Sequence, residues 1–518
     1  MKSIVKHWRR IAVTLIPVLL ALLHAVGVVR IGVLQRLDDI IYDARLQATM
    51  PKTLDDRVVI IDIDEKSLAD LGRWPWSRNK LADLVNTLFQ DQEIAILGFD
   101  VVFAEADESS GLARLSQLAR NELKDYPAFS DRLKQLQPDL DFDAAFAAAL
   151  ANRPVVMGYY LSSDKEGRSN GVLPAPVLRP DALQGRQIRA TSWTGYGANI
   201  EQLAKAAPMA GFFNSITDSD GVVRSLPLLA EYRGEYYESI ALSMFRVIAG
   251  MPSVAPGFSN ERFLAKNYQG MDRVLLKQGD KALAIPVDER VATLVPYRGR
   301  GGVNGGSFRY VSATDVVKKK LPPGSLKGKV VLLGTTAPGL LDLRVTPVGE
   351  TYPGVETHAN IISALLDGNM LVRPDYAIGY EVVMVLLSGL LLAFGLPLLS
   401  APRAVLLSVA ALAVLLSMNL WLYLGYGLVL PLASVLAMVV ASFGLNMSYG
   451  YFVESRSKRE LANLFGTYVP PELVDEMLKD PDSYNMQATN RELTVMFCDM
   501  RGFTKMSERM EPTPVSYT

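Results

Sequence analysis

The sequence predicts an α/β domain set between one membrane-length apolar helix and three more. Three observations carry this. Four apolar stretches are long enough to cross a bilayer, at roughly 20 residues per crossing. One lies near the N-terminus and the other three follow one another after residue 377. Between them, short β-rich runs alternate with stretches of helical spacing, the order of a parallel α/β unit.

The first apolar stretch is Ile11–Val29, with Pro17 and His24 inside it. The others are Ile378–Leu399, Ala404–Leu424 and Leu428–Met447; Glu381 lies near the start of the second, and none has a Lys or Arg in its middle. Basic residues near helix ends set orientation. Lys2, Lys6, Arg9 and Arg10 precede the first stretch, so residues 1–10 are expected in the cytoplasm. Four crossings then put residues 30–377 outside and return the chain to the cytoplasm. Arg403 in the turn between the second and third stretches, the uncharged "GYG" between the third and fourth, and Arg456, Lys458 and Arg459 beyond the last agree with this. The expected location is the inner (plasma) membrane, multi-pass. An alternative reading makes Ile11–Val29 a signal peptide, with Ala25-Val26-Gly27 as a small-x-small cleavage site. Both readings leave residues 30–377 outside.

Composition agrees. Hydrophobic residues make up 49% of the 518, and mean hydropathy is +0.17, high for a chain without membrane segments. The net charge of -1 gives no global basic surface for nucleic acid. A single cysteine, Cys498, excludes an intrachain disulfide, and with three histidines argues against a Cys- or His-rich metal site.

Residues 30–377 span about 345 residues, too many for a loop. Apolar runs at Arg57–Asp64, Ile94–Phe103, Pro154–Leu161 and Lys329–Gly334 read as buried strands. Leu81, Leu84, Val85 and Leu88, between the first two, have helical spacing, and "DAAFAAALANR" before the third repeats the pattern. Lys52 to Leu343 thus reads as one α/β domain with insertions.

The residues "VVIIDIDEKSLADLGRWPWSR", "ILGFDVVFAEAD" and "GKVVLLGTTAPGLLDLRVTPVGETYPGVETHANIISALLDG" resemble, in order, the CHASE family of extracytoplasmic sensors, in its second type; "FNSITDSDGVVRSLPLL" also fits. The resemblance implies a sensor between one N-terminal transmembrane helix and, commonly, three later ones. It implies an extracytoplasmic ligand without naming it.

Several residues in this domain allow a functional and a structural reading. Asp62, Asp64, Glu65 and Asp100 fall at the carboxyl ends of expected strands, where open α/β sheets bind ligands. They read either as a cation or polar-ligand site, joined by Asp342 and His358, or as caps of helices and loops. Trp74 and Trp76 around Pro75 read as a pocket lining or a packed turn. Gly299–Gly306, "GRGGVNGG", lacks the spacing of a nucleotide loop and reads as a flexible loop. Asp218–Gly221, "DSDG", reads as a turn.

After the fourth apolar stretch, residues 448–490 read as a linker helix. Leu461, Leu464, Phe465 and Tyr468 fall on one face, suited to pairing with a second copy or to packing on its own domain; Pro470 and Pro471 then break the helix before "PELVDEML". Leu493, Val495 and Phe497 alternate with Thr494 and Met496 and read as a strand closed by Asp499. "MRGFT" follows as a turn at Gly502, opening "KMSERM" as a helix. An acid at a strand end before a glycine turn and a helix N-terminus suits a metal–triphosphate.

"RELTVMFCDMRGFT", with "FGTYVPPELV" before it, resembles the opening of a class III nucleotidyl cyclase domain. The resemblance implies that residues 491–518 start an α+β, ferredoxin-like domain. It implies that Asp499 is the first of two aspartates holding two Mg²⁺ or Mn²⁺ ions, with help from the Met500 carbonyl. Backbone N–H groups of Gly502, Phe503 and Thr504 would lie by the phosphates of ATP or GTP. A homodimer is expected, making cyclic nucleotide and pyrophosphate, more often from ATP in this sensor pairing. The second aspartate and the base-selecting residues are not among these 518, so the sequence is expected to be part of a longer enzyme and to have no turnover alone. The alternatives are a non-enzymatic membrane sensor or scaffold and a sensor coupled to another output such as a kinase; no kinase motif is present.

Overall fold

The computed structural model describes residues 7–164, 166–258, 270–337, 339–340 and 342–455, and near the C-terminus residues 492, 494–503, 505 and 508. It divides into two units, Met1–Met447 and Ser448–Thr518. In chain order, the elements that matter here begin with helices α1 (Trp8–Ala25) and α2 (Gly32–Thr49), strand β1 (Asp55–Ile63), and helices α3 (Glu65–Leu71) and α4 (Arg78–Asn86). Then come β2 (Ile96–Phe99), α5 (Phe142–Leu150), β3 (Val155–Ser162), β4 (Ala210–Phe212) and α6 (Ile240–Ile248). They are followed by β5 (Phe308–Ser312), α7 (Ala313–Val317), β6 (Val330–Thr335) and α8 (Gly354–Asp367). Last are the long helices α9 (Ala377–Gly395), α10 (Ala401–Tyr426) and α11 (Ala433–Tyr449).

The first unit is built on a sheet whose central order is β5-β1-β6-β2-β3, with all four neighbouring pairs parallel. β1 and β6 pair from Val58↔Val330 to Ile63↔Thr335. Residues of β1 alternate between two cores. Val58 and Ile60 pack with Ile96, Val156 and Leu332 against α6 and α8, through Met244, Ala359 and Ile362. Val59, Ile61 and Ile63 pack with Leu97, Phe99 and Leu333 against α4 and α5, through Leu81, Leu84 and Phe146. A sheet covered on both faces needs apolar residues at every position, which is why the strands read as unbroken runs. Each such side chain contributes roughly 1.5–3 kcal/mol when fully buried.

The strand expected at Ile94–Phe103 is shorter. Ile94 N still bonds to Leu88 O at the end of the preceding helical turn, and after Asp100 N meets Leu333 O the chain leaves the sheet. The hairpins that extend the domain, such as Ser253–Gly257 with Arg273–Gln278 and Lys281–Pro286, were not expected from the sequence.

Among the described residues, four helices are long and apolar enough to cross a membrane: Trp8–Ala25, Ala377–Leu398, Ala401–Tyr426 and Ala433–Phe452. The fourth begins later than expected because Val429 N is tied to Val372 O before the helix starts. α1 packs on α9 where Gly389 lets it approach; a Cβ there would stand 2.7 Å from Val18. Arg10 Nη2 donates to Asn446 Oδ1 at 2.8 Å, and Asn446 Nδ2 donates to Thr14 Oγ1 at 3.0 Å, so α1 and α11 share a polar link.

In the second unit, residues 494–500 form no strand, and Val495, Met496 and Phe497 are exposed. This corrects the expected strand at Thr494–Phe497; Leu493 lies outside the described residues. A strand is held by a neighbour's ladder, and among the described residues none runs beside it. Leu461, Leu464, Phe465, Tyr468 and "PELVDEML" lie outside the described residues.

Candidate functional site

At the carboxyl edge of the sheet, the strand ends bring the candidate acids to one side, where each finds a different role. Asp64 caps α3: its Oδ1 accepts from Ser67 N at 2.7 Å and from Ser312 Oγ at 2.8 Å. Glu65 is exposed on the first turn of that helix. Asp62 is buried; Oδ2 accepts from Thr336 Oγ1 at 2.6 Å, while Oδ1 has no partner. Burial pushes its carboxyl up to about 6. Burial also pushes Asp100 well above the carboxylate range, with nearby Asp342 adding to it. Asp342 pairs with Arg344 at 2.5 Å, and its backbone oxygen accepts from Gly354 N at 2.8 Å. His358 is buried in α8 with Nε2 3.3 Å from Phe213 O; burial lowers it to about 4, so the ring is neutral.

Among the described residues, no three of His, Cys, Asp and Glu come together as a metal ion requires. The cation reading of this edge is therefore set aside. What sequence reasoning missed is Glu356. It is fully buried on the first turn of α8; Oε2 accepts from Gly302 N at 2.7 Å and from Tyr310 O–H at 2.8 Å, and Oε1 has no partner. Burial pushes it up to about 7. Gly299–Gly306 is thus a loop anchored on this carboxyl. Its signal in sequence, one acid in "GVETHANIISALLDG", does not differ from a surface position.

Trp74 and Trp76 meet edge to face with centroids 5.3 Å apart, and Trp76 Nε1 donates to Gly72 O at 2.8 Å. With Trp76 only 2% exposed, this is a packed turn.

The second missed feature is α2. It lies between the sheet domain and the long helices and holds both. Tyr42 and Leu46 are buried in the core shared with β1, and Ile41 packs on the cluster of α1, α9, α10 and α11. Asp38 Oδ1 accepts from Leu432 N at 2.7 Å and Ala433 N at 2.8 Å, capping α11. Arg45 bonds Asn419 of α10, with its guanidinium 5.1 Å from the Tyr423 ring centroid. Asp43 grips Arg224 of the sheet domain. Arg224 also meets Asp218 at 3.2 Å and Asp220 at 2.8 Å, so "DSDG" is a turn with a load: it closes a three-carboxylate cage around one buried cation. Leu34, Tyr42 and Leu46 carry a helical period, but Asp38 and Arg45 on the inward side disguise it.

At the C-terminal end, Met500 O accepts from Phe503 N at 3.2 Å across a turn, with Gly502 at φ 89°. The expected glycine turn is there. Asp499 and Cys498 are exposed and Met500 is 48% exposed; Thr504 lies outside the described residues. A two-ion site needs a second carboxylate, and among the described residues Asp499 belongs to no group of three or more His, Cys, Asp and Glu. These residues do not by themselves fit a divalent-ion pair.

A two-sided α/β domain held through one helix against four membrane-length helices has the architecture of a membrane-bound receptor. The family model of the CHASE2 domain matches residues 16–396, and the chain belongs to this family. It is a membrane sensor. Comparison with curated proteins and with solved structures found no match.

Proposed function

We propose that the chain is the sensing and membrane part of a receptor nucleotidyl cyclase. In this reading residues 30–377 face outward, four crossings return the chain to the cytoplasm, and the C-terminal residues open a catalytic domain that makes cyclic AMP and pyrophosphate from ATP. The observation that carries the output is the wording "RELTVMFCDMRGFT" after "FGTYVPPELV", with an acid and a glycine turn in the order a nucleotide site uses. Asp499 would supply one of two metal-holding carboxylates, the Met500 carbonyl would assist, and the amides of Gly502, Phe503 and Thr504 would lie by the phosphates. A homodimer would form through the stripe at Leu461–Tyr468. Retention of α1 as an anchor is supported by its polar link to Asn446.

The test is Mg²⁺- or Mn²⁺-dependent conversion of ATP in membranes expressing the reading frame that contains this chain. Cyclic AMP that appears with the wild type and disappears with Asp499→Ala, at equal membrane levels, is the expected result. No product from ATP or GTP would overturn it. A non-enzymatic membrane sensor is the second reading, supported by the CHASE2 match over residues 16–396.

A further inference from the structure

A cavity of ≈ 390 Å³ lies where α2 meets the ends of the long helices. That volume is in the range of small-molecule sites. Its lining includes Asp38, Asp39, Arg45 and Arg373, with Ala377, the first residue of α9, and Val429–Pro431, which lead into α11. Exposed aromatics stand at the same helix ends: Tyr376 before α9, and Trp421 and Tyr426 in the last turns of α10. Aromatic residues with one wet side gather at the head-group level of a bilayer. With the four helices set in a bilayer, this cavity would lie at the level of the lipid head groups.

Its charges are not all spent. Asp38 is used by the amides of Leu432 and Ala433, and Arg45 by Asn419. Asp39 and Arg373 are different. Arg373 lies over the Tyr42 ring, 5.8 Å from its centroid, and neither side chain has a hydrogen bond or ion pair among the described residues. One cavity thus offers a cation and an anion that feel each other's charge without a hydrogen bond between them. With Asp218 the walls hold three aspartates against two arginines, which disfavours a ligand that is only anionic.

We propose that this cavity binds the head group of a glycerophospholipid bearing both a phosphate and a primary ammonium. The phosphate sits on Arg373, and the ammonium donates to Asp39. A quaternary ammonium has no N–H to give Asp39, and a glycerol head group has no cation, so the site separates the three head groups by chemistry. The occupant would rest on α2, between Asp38 on α11 and Asp43 on Arg224. This site is independent of the cyclase reading and needs only that the four helices cross a bilayer, which carbonate extraction checks separately.

The test uses the full chain in nanodiscs of phosphatidylethanolamine, phosphatidylcholine and phosphatidylglycerol in equal parts, with retained lipid read by native mass spectrometry. Wild type is expected to retain phosphatidylethanolamine. Arg373→Ala should lower that retention about tenfold, the scale of one charged hydrogen bond, and Asp39→Asn should abolish the preference over phosphatidylcholine. Equal retention of the three lipids by wild type would overturn the proposal, and that arm needs no variant to fold. So would unchanged retention by Arg373→Ala. Free glycerophosphoethanolamine, added without lipid, should bind far more weakly; equal binding would overturn the assignment to a lipid in favour of a soluble zwitterion.

Discussion

Asp43 and Arg224, 181 residues apart, form a two-point ion pair: Arg224 Nε reaches Asp43 Oδ1 at 2.8 Å and Nη2 reaches Oδ2 at 2.7 Å, with the Arg224 side chain 2% exposed. This is a buried polar tie between α2 and the sheet domain. Removing one side of a buried pair leaves the other uncompensated, at about 3–5 kcal/mol. Arg224→Ala strands three carboxylates and should lower sensor stability by that amount. Asp43→Asn leaves Asp218 and Asp220 on the cation and should cost less. Thermal unfolding of the membrane-embedded chain, followed by tryptophan fluorescence, ranks the two; equal effects would refute the cage.

Asp38 is the corresponding tie to α11. Asp38→Ala removes an N-cap, worth about 1 kcal/mol. Hydrogen exchange should rise at Leu432 and Ala433 and stay unchanged in β1.

Stability of the sheet domain should fall as pH rises. Burial pushes Glu356 up to about 7 from 4.5 and Asp62 up to about 6 from 3.8. A carboxyl whose value is higher folded than unfolded keeps its proton longer in the folded state. Its contribution is therefore complete below the unfolded value and is lost as pH passes the folded one. For Glu356 that window runs from about 4.5 to about 7, and the loss is of the order of 2–3 kcal/mol. The unfolding midpoint should be higher at pH 5 than at pH 8, and Glu356→Gln should flatten the difference. A profile unchanged by that substitution would count against it.

Close packing of β3 gives a test without charge. A Cβ on Gly158 would stand 2.2 Å from Phe99 O and 2.9 Å from Val101 O, both backbone atoms that cannot swing aside. Gly158→Ala should cost about 1–3 kcal/mol, read as a shift in thermal midpoint. Gly302→Ala lacks such a clash, although its positive φ adds some backbone strain of its own.

For topology, a cysteine in place of the exposed Ser109 should react with an impermeant maleimide on intact cells, whereas one in place of Ser457 should react only after permeabilisation. The reverse pattern would invert the orientation read from the basic residues.

The parts legible in the sequence were those where one physical demand dominates. Val58–Ile63 must be apolar on both faces, and the long helices must satisfy hydrocarbon, so both announced themselves. The parts that escaped answer to several demands at once. α2 faces the sheet core, a helix bundle and water, so Asp38, Asp43 and Arg45 interrupt its apolar stripe. Asp64 and Asp62 stand two residues apart at one strand end, yet one caps a helix and the other is buried with an idle oxygen, a difference set by the contacts of Ser312 and Thr336, both far away in sequence. Glu356 is found only once Tyr310 and Gly302 are seen to close over it. Leu493–Phe497 has the alternation of a strand, but alternation describes a surface and does not supply the neighbour that would hold it.

The larger hydrophobic core runs without a break from Val58 and Ile60 of β1 through Tyr42 and Leu46 to Tyr423 of α10 and Val429 before α11. A water-soluble ectodomain trimmed at residue 50 and at residue 368 would leave that core unroofed, with greasy walls facing solvent. Such a piece should clump or need detergent, and a ligand screen run on it would interrogate a surface that the intact receptor never exposes.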